Sequence, residues 1–379
     1  MNPAYSLKDL IIYFLKLGTW GFGGPVALVG YMHRDLVVNK KWISDDDYKE
    51  GLALSQLAPG PLAAQLSIYI GYIHYGILGA TLVGLAFVLP SFLMVLCIGY
   101  AYVAFGGLPW MQAIFYGVGA SVIGIIAIGS YKLTTKSLGK DKLLWAIFVL
   151  VAIITFATER ELLWIILLAG VIVWFVKAPP RWLTSQAQAG APFILTQLQP
   201  IATESRLWQI AIFFLKAGAF VFGSGLAIVP FLYGGVVNEY QWLNEQQFLD
   251  AVAVAMITPG PVVITVGFIG YLAAGFWGAV VAALATFLPC YLFTVLPAPY
   301  FKKYGKHPAI RAFVDGVTAA AIGAIAGAVF VLGKRTLVDI PSFGIALAVV
   351  ALLLKFKKVP EPLIIAGAAI IGLTLKLIL

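Results

Sequence analysis

Two stretches decide the fold: Ile12–Pro25, IYFLKLGTWGFGGP, and Ile212–Gly225, IFFLKAGAFVFGSG. They lie 200 residues apart and align without a gap. Phe14-Leu15-Lys16 faces Phe214-Leu215-Lys216, Gly18 faces Gly218, and Phe22-Gly23 faces Phe222-Gly223. The register continues through Trp42 with Trp242 and Glu50 with Asp250 to Pro59-Gly60-Pro61 with Pro259-Gly260-Pro261. After a one-residue slip it resumes at Gly71-Tyr72 with Gly270-Tyr271, Leu89-Pro90 with Leu288-Pro289, and Gly117-Val118 with Gly316-Val317. Apolar segments share Leu and Ala by chance, but Lys, Trp and Pro-Gly-Pro do not recur in register that way. The chain is a tandem duplication.

Only 41 of its 379 residues are Lys, Arg, Asp or Glu, and 61% are hydrophobic, with a mean hydropathy of +0.97. A soluble domain carries about 25% charged residues; at 11% this chain cannot cover itself in water. The 39 glycines and 20 prolines fit helices in lipid. A membrane β-barrel would alternate in segments of about 10 residues, whereas the apolar runs here are roughly twice that, long enough for helical spans. The expected class is an all-α polytopic membrane protein.

Each half holds six apolar segments: Leu7 to Tyr31, Leu52 to Tyr75, Ile77 to Phe105, Met111 to Leu133, Leu143 to Ala157 and Leu162 to Val176, then their counterparts from Trp208 to Ile378. Between the halves lies a stretch rich in Pro, Gln, Ser and Thr, KAPPRWLTSQAQAGAPFILTQLQPIATESR from Lys177 to Arg206. The expected organisation is a first repeat over 1–177, a cytoplasmic linker over 178–206 and a second repeat over 207–379. The N-terminus has no secretory signal pattern, so the first apolar stretch is expected to be retained. Cys97 and Cys290 sit inside apolar runs, which favours packing over a disulfide or metal site.

Loop charge bears on topology. If all twelve segments cross, Lys and Arg split almost evenly between the faces, which is unusual. If the Pro-Gly-Pro segment of each half turns back, each half crosses five times and 18 basic residues share one face against 5 on the other, with the N-terminus outside. An odd number of crossings inverts the second repeat. It also explains why the loop from Met32 to Lys49 is basic while its counterpart, Gly234 to Leu249, has Glu239 and Glu245 and no Lys or Arg.

Inverted repeats with interrupted helices are the architecture of secondary transporters, whose substrate binds where broken helices meet. The breaks at Gly23-Gly24-Pro25, Pro59-Gly60-Pro61, Gly223-Ser224-Gly225 and Pro259-Gly260-Pro261 leave helix N-termini with unpaired N–H groups, suited to an anion. A lysine in a spanning segment costs about 2.5–3.5 kcal/mol, yet both repeats keep one, Lys16 and Lys216. They are read as a pair of cations flanking the anion, against snorkelling to the interface. Ser55, Gln56 and Gln65, with Thr258 in the second half, are the polar candidates near the second break, together with Gly60 and Gly260. Thr265 lies nearby, and hydroxyls of this kind also bond their own helices. Glu50 and Asp250 either cap helices or form a protonatable coupling pair. Asp315 has no acidic mate in the register, and His33, His74 and His307 show no metal spacing. Nucleotide, metalloprotease and nucleophile-elbow motifs are absent, which points away from an enzyme and towards a carrier driven by an ion gradient or the membrane potential.

At Gly21-Phe22-Gly23-Gly24-Pro25, Lys41-Trp42-Ile43-Ser44, Gln56-Leu57-Ala58-Pro59-Gly60-Pro61 and Ile70-Gly71-Tyr72 the chain resembles the chromate ion transporter family. Phe222-Gly223-Ser224-Gly225, Trp242-Leu243 and Thr258-Pro259-Gly260-Pro261 resemble that family's second copy, and the resemblance spans the chain. It implies a two-domain inverted membrane protein that exports chromate, or handles a sulfate-like oxyanion, under the proton-motive force. Many members carry a histidine shortly after the first Gly-Gly-Pro; this chain has Ala27-Leu28 there, so no histidine role is carried over. The expected partners are a small oxyanion and the bilayer, with no cofactor, no metal and no nucleic acid, and a homodimer is admitted. The competing readings are an uptake carrier for sulfate or a small organic anion, and a membrane enzyme acting on a lipid phosphate.

Overall fold

Glycine and proline set the reversals of direction in this chain. In the computed structural model, which describes residues 5–22, 24–105, 109–158, 163–179, 205–219, 228–304, 307–356, 359 and 361–378, the described secondary structure is helical throughout. The first half holds α1 (Leu7–Trp20), α2 (Gly24–Met32), α3 (Asp45–Leu57), α4 (Leu62–Phe105), α5 (Pro109–Ser137), α6 (Lys142–Thr158) and α7 (Leu163–Lys177). The second holds α8 (Arg206–Ala219), α9 (Ile228–Tyr233), α10 (Glu245–Ile257), α11 (Thr265–Val295), α12 (Ala298–Tyr304), α13 (Pro308–Thr336), α14 (Ile340–Lys355) and α15 (Glu361–Ile378).

The duplication is repeated in the backbone. A π-helical stretch, His33–Asn39, follows α2, and its counterpart Gly234–Glu239 follows α9. Among the described residues the two non-glycine positions with positive φ are Lys41 at 53° and Gln241 at 50°, equivalent in the repeat. Each sets up the next residue's N–H bond, Trp42 to Leu36 and Trp242 to Val236, both at 2.8 Å. Ser44 and Asn244 then cap α3 and α10 by accepting the N–H of Asp47 and Gln247.

Each half reverses direction repeatedly. In the first half the Tyr13 hydroxyl donates to Asp35 at 3.4 Å and Tyr5 stacks on Trp42 with ring centroids 4.8 Å apart. On an unbroken helix residues 13 and 35 would lie about 33 Å apart, so the chain turns back at the Gly21–Pro25 break. At Pro-Gly-Pro it turns again. The Tyr69 hydroxyl donates to Glu50 at 3.0 Å, and in the second half Thr265 donates to the Ala251 carbonyl at 2.8 Å. The third reversal is inside α4 at Gly76 (φ 58°, ψ −148°) and inside α11 at Gly275 (φ 65°, ψ −155°), a region essentially reserved for glycine. Gly71 and Gly79 there meet backbone to backbone, as do Gly270 and Gly278, with no room for a Cβ. As one straight rod α4 would be about 66 Å long, twice the hydrocarbon core.

The Pro-Gly-Pro segment thus turns back as its loop charges suggest. One detail differs: the first segment, Leu7 to Tyr31, turns back too. Its 25 residues are long enough to span, but the glycine break divides them into two limbs held side by side. Each half is completed by the α4 limb after Gly76, by α5 and by the shorter α6 and α7, or by their counterparts. Leu62–Phe105, Trp110–Thr135, Val262–Phe301 and Pro308–Lys334 are long and apolar enough to cross a membrane, and 142–158, 164–177, 340–355 and 362–375 are shorter apolar helices.

The long limbs of α4 and α11 pack against each other in opposite directions. Thr81 bonds Tyr291 at 2.8 Å near the start of the α4 limb, while Tyr102 near its end reaches Asp250 at the base of the second half's hairpins, at 2.7 Å. The second half is therefore inverted relative to the first. The outer helices exchange partners: α13 lies against α6 and α7, and α5 against α14 and α15. Glycines make these crossings close, Gly316 at the Ala169 carbonyl, Gly323 at Phe148, Gly117 at Ala368 and Gly372 at Ala113.

Loop charge then separates cleanly. Lys8, Arg34, Lys40, Lys41, Lys49, Lys132, Lys140, Lys142, Lys177, Arg311 and Lys355 lie at one end of the bundle. Lys334, Glu239, Glu245 and Asp339 lie at the other. Because Tyr5 stacks on Trp42, the N-terminal end sits on the basic face rather than opposite it. Lys177, paired to Asp141 at the basic face, and Arg206, at the base of α8, are at opposite ends.

Candidate functional site

Two of the breaks meet inside the bundle. The Gly260 N–H donates to the Gly21 carbonyl at 3.0 Å, joining the Pro-Gly-Pro tip of the second half to the first break of the first half. Gly260 holds φ at 91°, and a Cβ there would collide with the Ser91 hydroxyl. Ser91 is fully buried on the long limb of α4 and donates to the Gly18 carbonyl at 3.4 Å. Pro90 one residue earlier removes a backbone donor from the same turn. Ser91 belongs to no motif, and a hydroxyl after Pro90 in an apolar run is the one signal of it in the sequence.

In the first half α4 begins after the Pro-Gly-Pro turn. Its first helical bond runs from the Gln65 N–H to Pro61, at 3.0 Å, so the N–H groups of Leu62, Ala63 and Ala64 precede it. The Gln65 side chain is fully buried and its Nε2 donates to the Pro59 carbonyl at 2.8 Å. Its Oε1 is buried with no partner among the described residues. In the second half a short 3₁₀ turn, Val262–Ile264, starts the equivalent helix, and Ile264 N–H bonds Pro261 at 3.0 Å. Val262 and Val263, both buried, carry the corresponding amides. Each of these two helix N-termini turns the positive end of its dipole into its own hairpin tip, a setting suited to an anion. Gln65 Oε1 accepts only, so what it lacks is a donor: water, or a protonated oxyanion.

The other expected residues fall into groups. Gly60 (φ 144°) and Gly260 form the two Pro-Gly-Pro turns, with Pro59, Pro61, Pro259 and Pro261 around them. Gly24 and Pro25 open α2. Gly23, Gly223, Ser224 and Gly225 lie outside the described residues. Ser55 is buried but donates to the Gly51 carbonyl at 2.8 Å, and Thr258 donates to Val254 at 3.0 Å. Both hydroxyl protons are spent on their own helices. Gln56 is exposed. Lys16 and Lys216 are also exposed, on the outward sides of α1 and α8, each beside an exposed leucine, Leu15 at 36% and Leu215 at 41%. Among the described residues neither makes an ion pair. The fold sets both one turn from the breaks and turns both away from the core.

The acids differ. Glu50 is half-buried and accepts from Tyr69 on the adjoining limb of its own hairpin. Asp250 is 2% exposed; Tyr102 donates to Oδ2 at 2.7 Å and Gln246 to Oδ1 at 2.8 Å. Tyr69 is matched in the second half by Phe268, and Tyr102 by Phe301. Phe268 packs edge-on against Tyr102 at 5.3 Å, and Phe301 packs in the cluster around Tyr69. The hydroxyl has changed sides between two equivalent aromatic pairs. That exchange is visible in the aligned halves once the facing limbs are known.

At the basic face, Lys49 and His33 bond Asp45 and hold its carboxyl below the usual range. Lys177 does the same to Asp141. Among the described residues no group of three or more His, Cys, Asp or Glu could hold a metal. A cavity of about 250 Å³ beside Pro59 is lined by Leu54, Leu57, Ala58, Phe293, Tyr300 and other largely apolar residues, a poor setting for a dianion.

The chromate transporter family model matches residues 8–174 and 208–373, one copy on each half. A chromate transport protein of Cupriavidus metallidurans is 71% identical over 98% of this chain and 94% of its own length. A probable chromate transport protein of Synechococcus elongatus is 64% identical over 98% and 96%. A chromate transport protein of Pseudomonas aeruginosa is 31% identical over 93% and 88%. No solved structure matches the chain.

Proposed function

Because the chain belongs to the chromate transporter family, and is thus a multi-pass membrane transport protein rather than an enzyme, we propose that it carries chromate out of the cell across the cytoplasmic membrane. The dianion binds at the convergence of the helix breaks. The observation that carries this reading is the Gly260 to Gly21 bond at 3.0 Å, which joins breaks from two inverted halves in one buried place. Backbone amides at the start of α4 and at Val262–Val263 supply donors. No fixed cation has to be stripped of water to reach the anion. Lys16 and Lys216, one turn away on the outer surfaces of the hairpins, add positive potential around the breaks. The basic face is cytoplasmic by the rule that Lys and Arg stay inside.

Direction follows from charge. Moving one charge through 100 mV is worth about 2.3 kcal/mol, so a dianion leaving a negative-inside cell gains roughly 4–5 kcal/mol per 100 mV from the potential alone. In each half the first hairpin packs on its own long limb, Gly18 at Phe87 and Gly218 at Thr286, while the second half's Pro-Gly-Pro hairpin reaches the first half's limb at Ser91 and Tyr102; rocking of the two halves about these contacts alternates access to the tips. Titrating purified protein with chromate, sulfate, molybdate, phosphate and a small carboxylate tests the reading. The tetrahedral dianions, chromate foremost, are expected to bind. Binding of the carboxylate alone would support the uptake alternative, and no anion binding with turnover of a lipid phosphate would overturn the carrier.

A further inference from the structure

The Asp250 cluster is not used by the anion site. Its carboxyl is 2% exposed, deeper than that of Glu50, its partner in the duplication. The elements around it offer little charge. Within α4 and α11 there is no Asp, Glu, Lys or Arg, and α5 carries Lys132 and Lys136 only at its far, basic end. Of α15, Glu361 is likewise at the far end and Lys376 is in the last turn. Glu239 closes the π-helical stretch at the base, and Glu245 stands one turn before Asp250 on its own helix. Among the described residues Asp250 makes no ion pair. An ionised carboxylate there carries the desolvation cost of a buried charge without a cation to offset it; a proton removes that cost.

The hydrogen bonds accept either state. When Asp250 is ionised, the Tyr102 phenol donates to Oδ2. When Oδ2 is protonated it donates to the same phenol oxygen, and Gln246 keeps donating to Oδ1 in both cases. The partner's location gives the site its meaning. Tyr69 belongs to the hairpin of Glu50 and moves with it, whereas Tyr102 stands on the other half's long limb, so any parting of the halves breaks the Tyr102–Asp250 bond.

We propose that Asp250 is a proton-binding site of the transport cycle, loaded and unloaded as the second half's Pro-Gly-Pro hairpin closes on and parts from α4 of the first half. The proton comes from water at the base of that hairpin as the carboxylate takes it up, and returns to water when the carboxyl ionises; nothing else is consumed. The proposal rests on the transport reading for its link to the oxyanion, but proton binding itself does not.

Two measurements on the full-length protein in liposomes test it. The first is an infrared difference spectrum across a pH titration without any oxyanion. The expected result is a carboxylic C=O band that titrates in the parent and in Glu50→Gln, is lost in Asp250→Asn, and shifts in frequency in Tyr102→Phe. A band unchanged in Asp250→Asn and Tyr102→Phe would overturn the site. The second is proton movement per chromate carried, read with a trapped pH dye. Asp250→Asn is expected to lower that ratio at least tenfold, and an unchanged ratio would overturn the link to transport. Should the parent protein carry no oxyanion while the infrared band still vanishes in Asp250→Asn, the transport reading fails and the proton site stands.

Discussion

Replacing Gly76 by alanine isolates the feature on which the topology turns. Gly76 holds φ 58° and ψ −148°, and a Cβ built there meets nothing within 4 Å. The cost of Gly76→Ala is therefore that of the backbone region alone, about 1–3 kcal/mol. Gly275→Ala, at φ 65° and ψ −155° and also in open space, has the same expected cost. The two turns sit at opposite ends of the bundle, so the double variant should lose about the sum, roughly 2–6 kcal/mol. Gly344→Ala is the control: it is in open space within α14, at helical φ, and should gain about 0.5–1 kcal/mol from helix propensity. Reversible unfolding in mixed dodecylmaltoside and SDS micelles, followed by tryptophan fluorescence, reads all four. If Gly76→Ala is as stable as Gly344→Ala, the chain does not reverse at residue 76 and the hairpin architecture is wrong.

Three further outcomes follow from the same geometry. Gly260→Ala, which forces a Cβ onto Ser91 at a φ of 91°, should cut chromate flux at least tenfold while Gly234→Ala, in open space, leaves it unchanged; equal flux in both would detach the Gly260 tip from transport. Lys16→Ala and Lys216→Ala should each weaken chromate binding about three- to tenfold, as screened charges outside the core do at roughly 1 kcal/mol, measured by calorimetry; complete loss would move the anion onto the lysines. A cysteine placed at Tyr5, Lys40 or Lys41 should resist an impermeant maleimide in intact cells and one at Glu239 should react, and labelling in the opposite sense would reverse the orientation.

The duplication, the breaks and the inversion are legible in the sequence because they rest on rare residues in register and on the sign of loops. Lys40-Lys41 against Tyr240-Gln241 already separates the two faces. The return of the first segment is not legible. Both limbs of the α1–α2 hairpin are apolar, so composition reads Leu7 to Tyr31 as one span. Only contacts such as Tyr13 with Asp35 and Tyr5 with Trp42 reveal two limbs. The lysines show a similar limit. Periodicity puts Lys16 and Lys216 in the membrane, but which side of α1 and α8 faces inward depends on how Gly18 meets Phe87 and Gly218 meets Thr286, a tertiary fact. Ser55 and Thr258 look like anion ligands in a string of letters; their protons are bound to carbonyls one turn back. Gln65 is the polar candidate whose neighbourhood leaves an atom unpaired, and burial rather than residue type distinguishes it.

Locating a heavy tetrahedral dianion in the protein tests the central claim most directly. In crystals grown with tungstate, anomalous scattering should place the metal atom where the breaks meet at Gly260 and Gly21, within reach of the Val262–Val263 amides. A single peak beside Lys16 or Lys216 on the outer surface, with none at the convergence, would contradict the account.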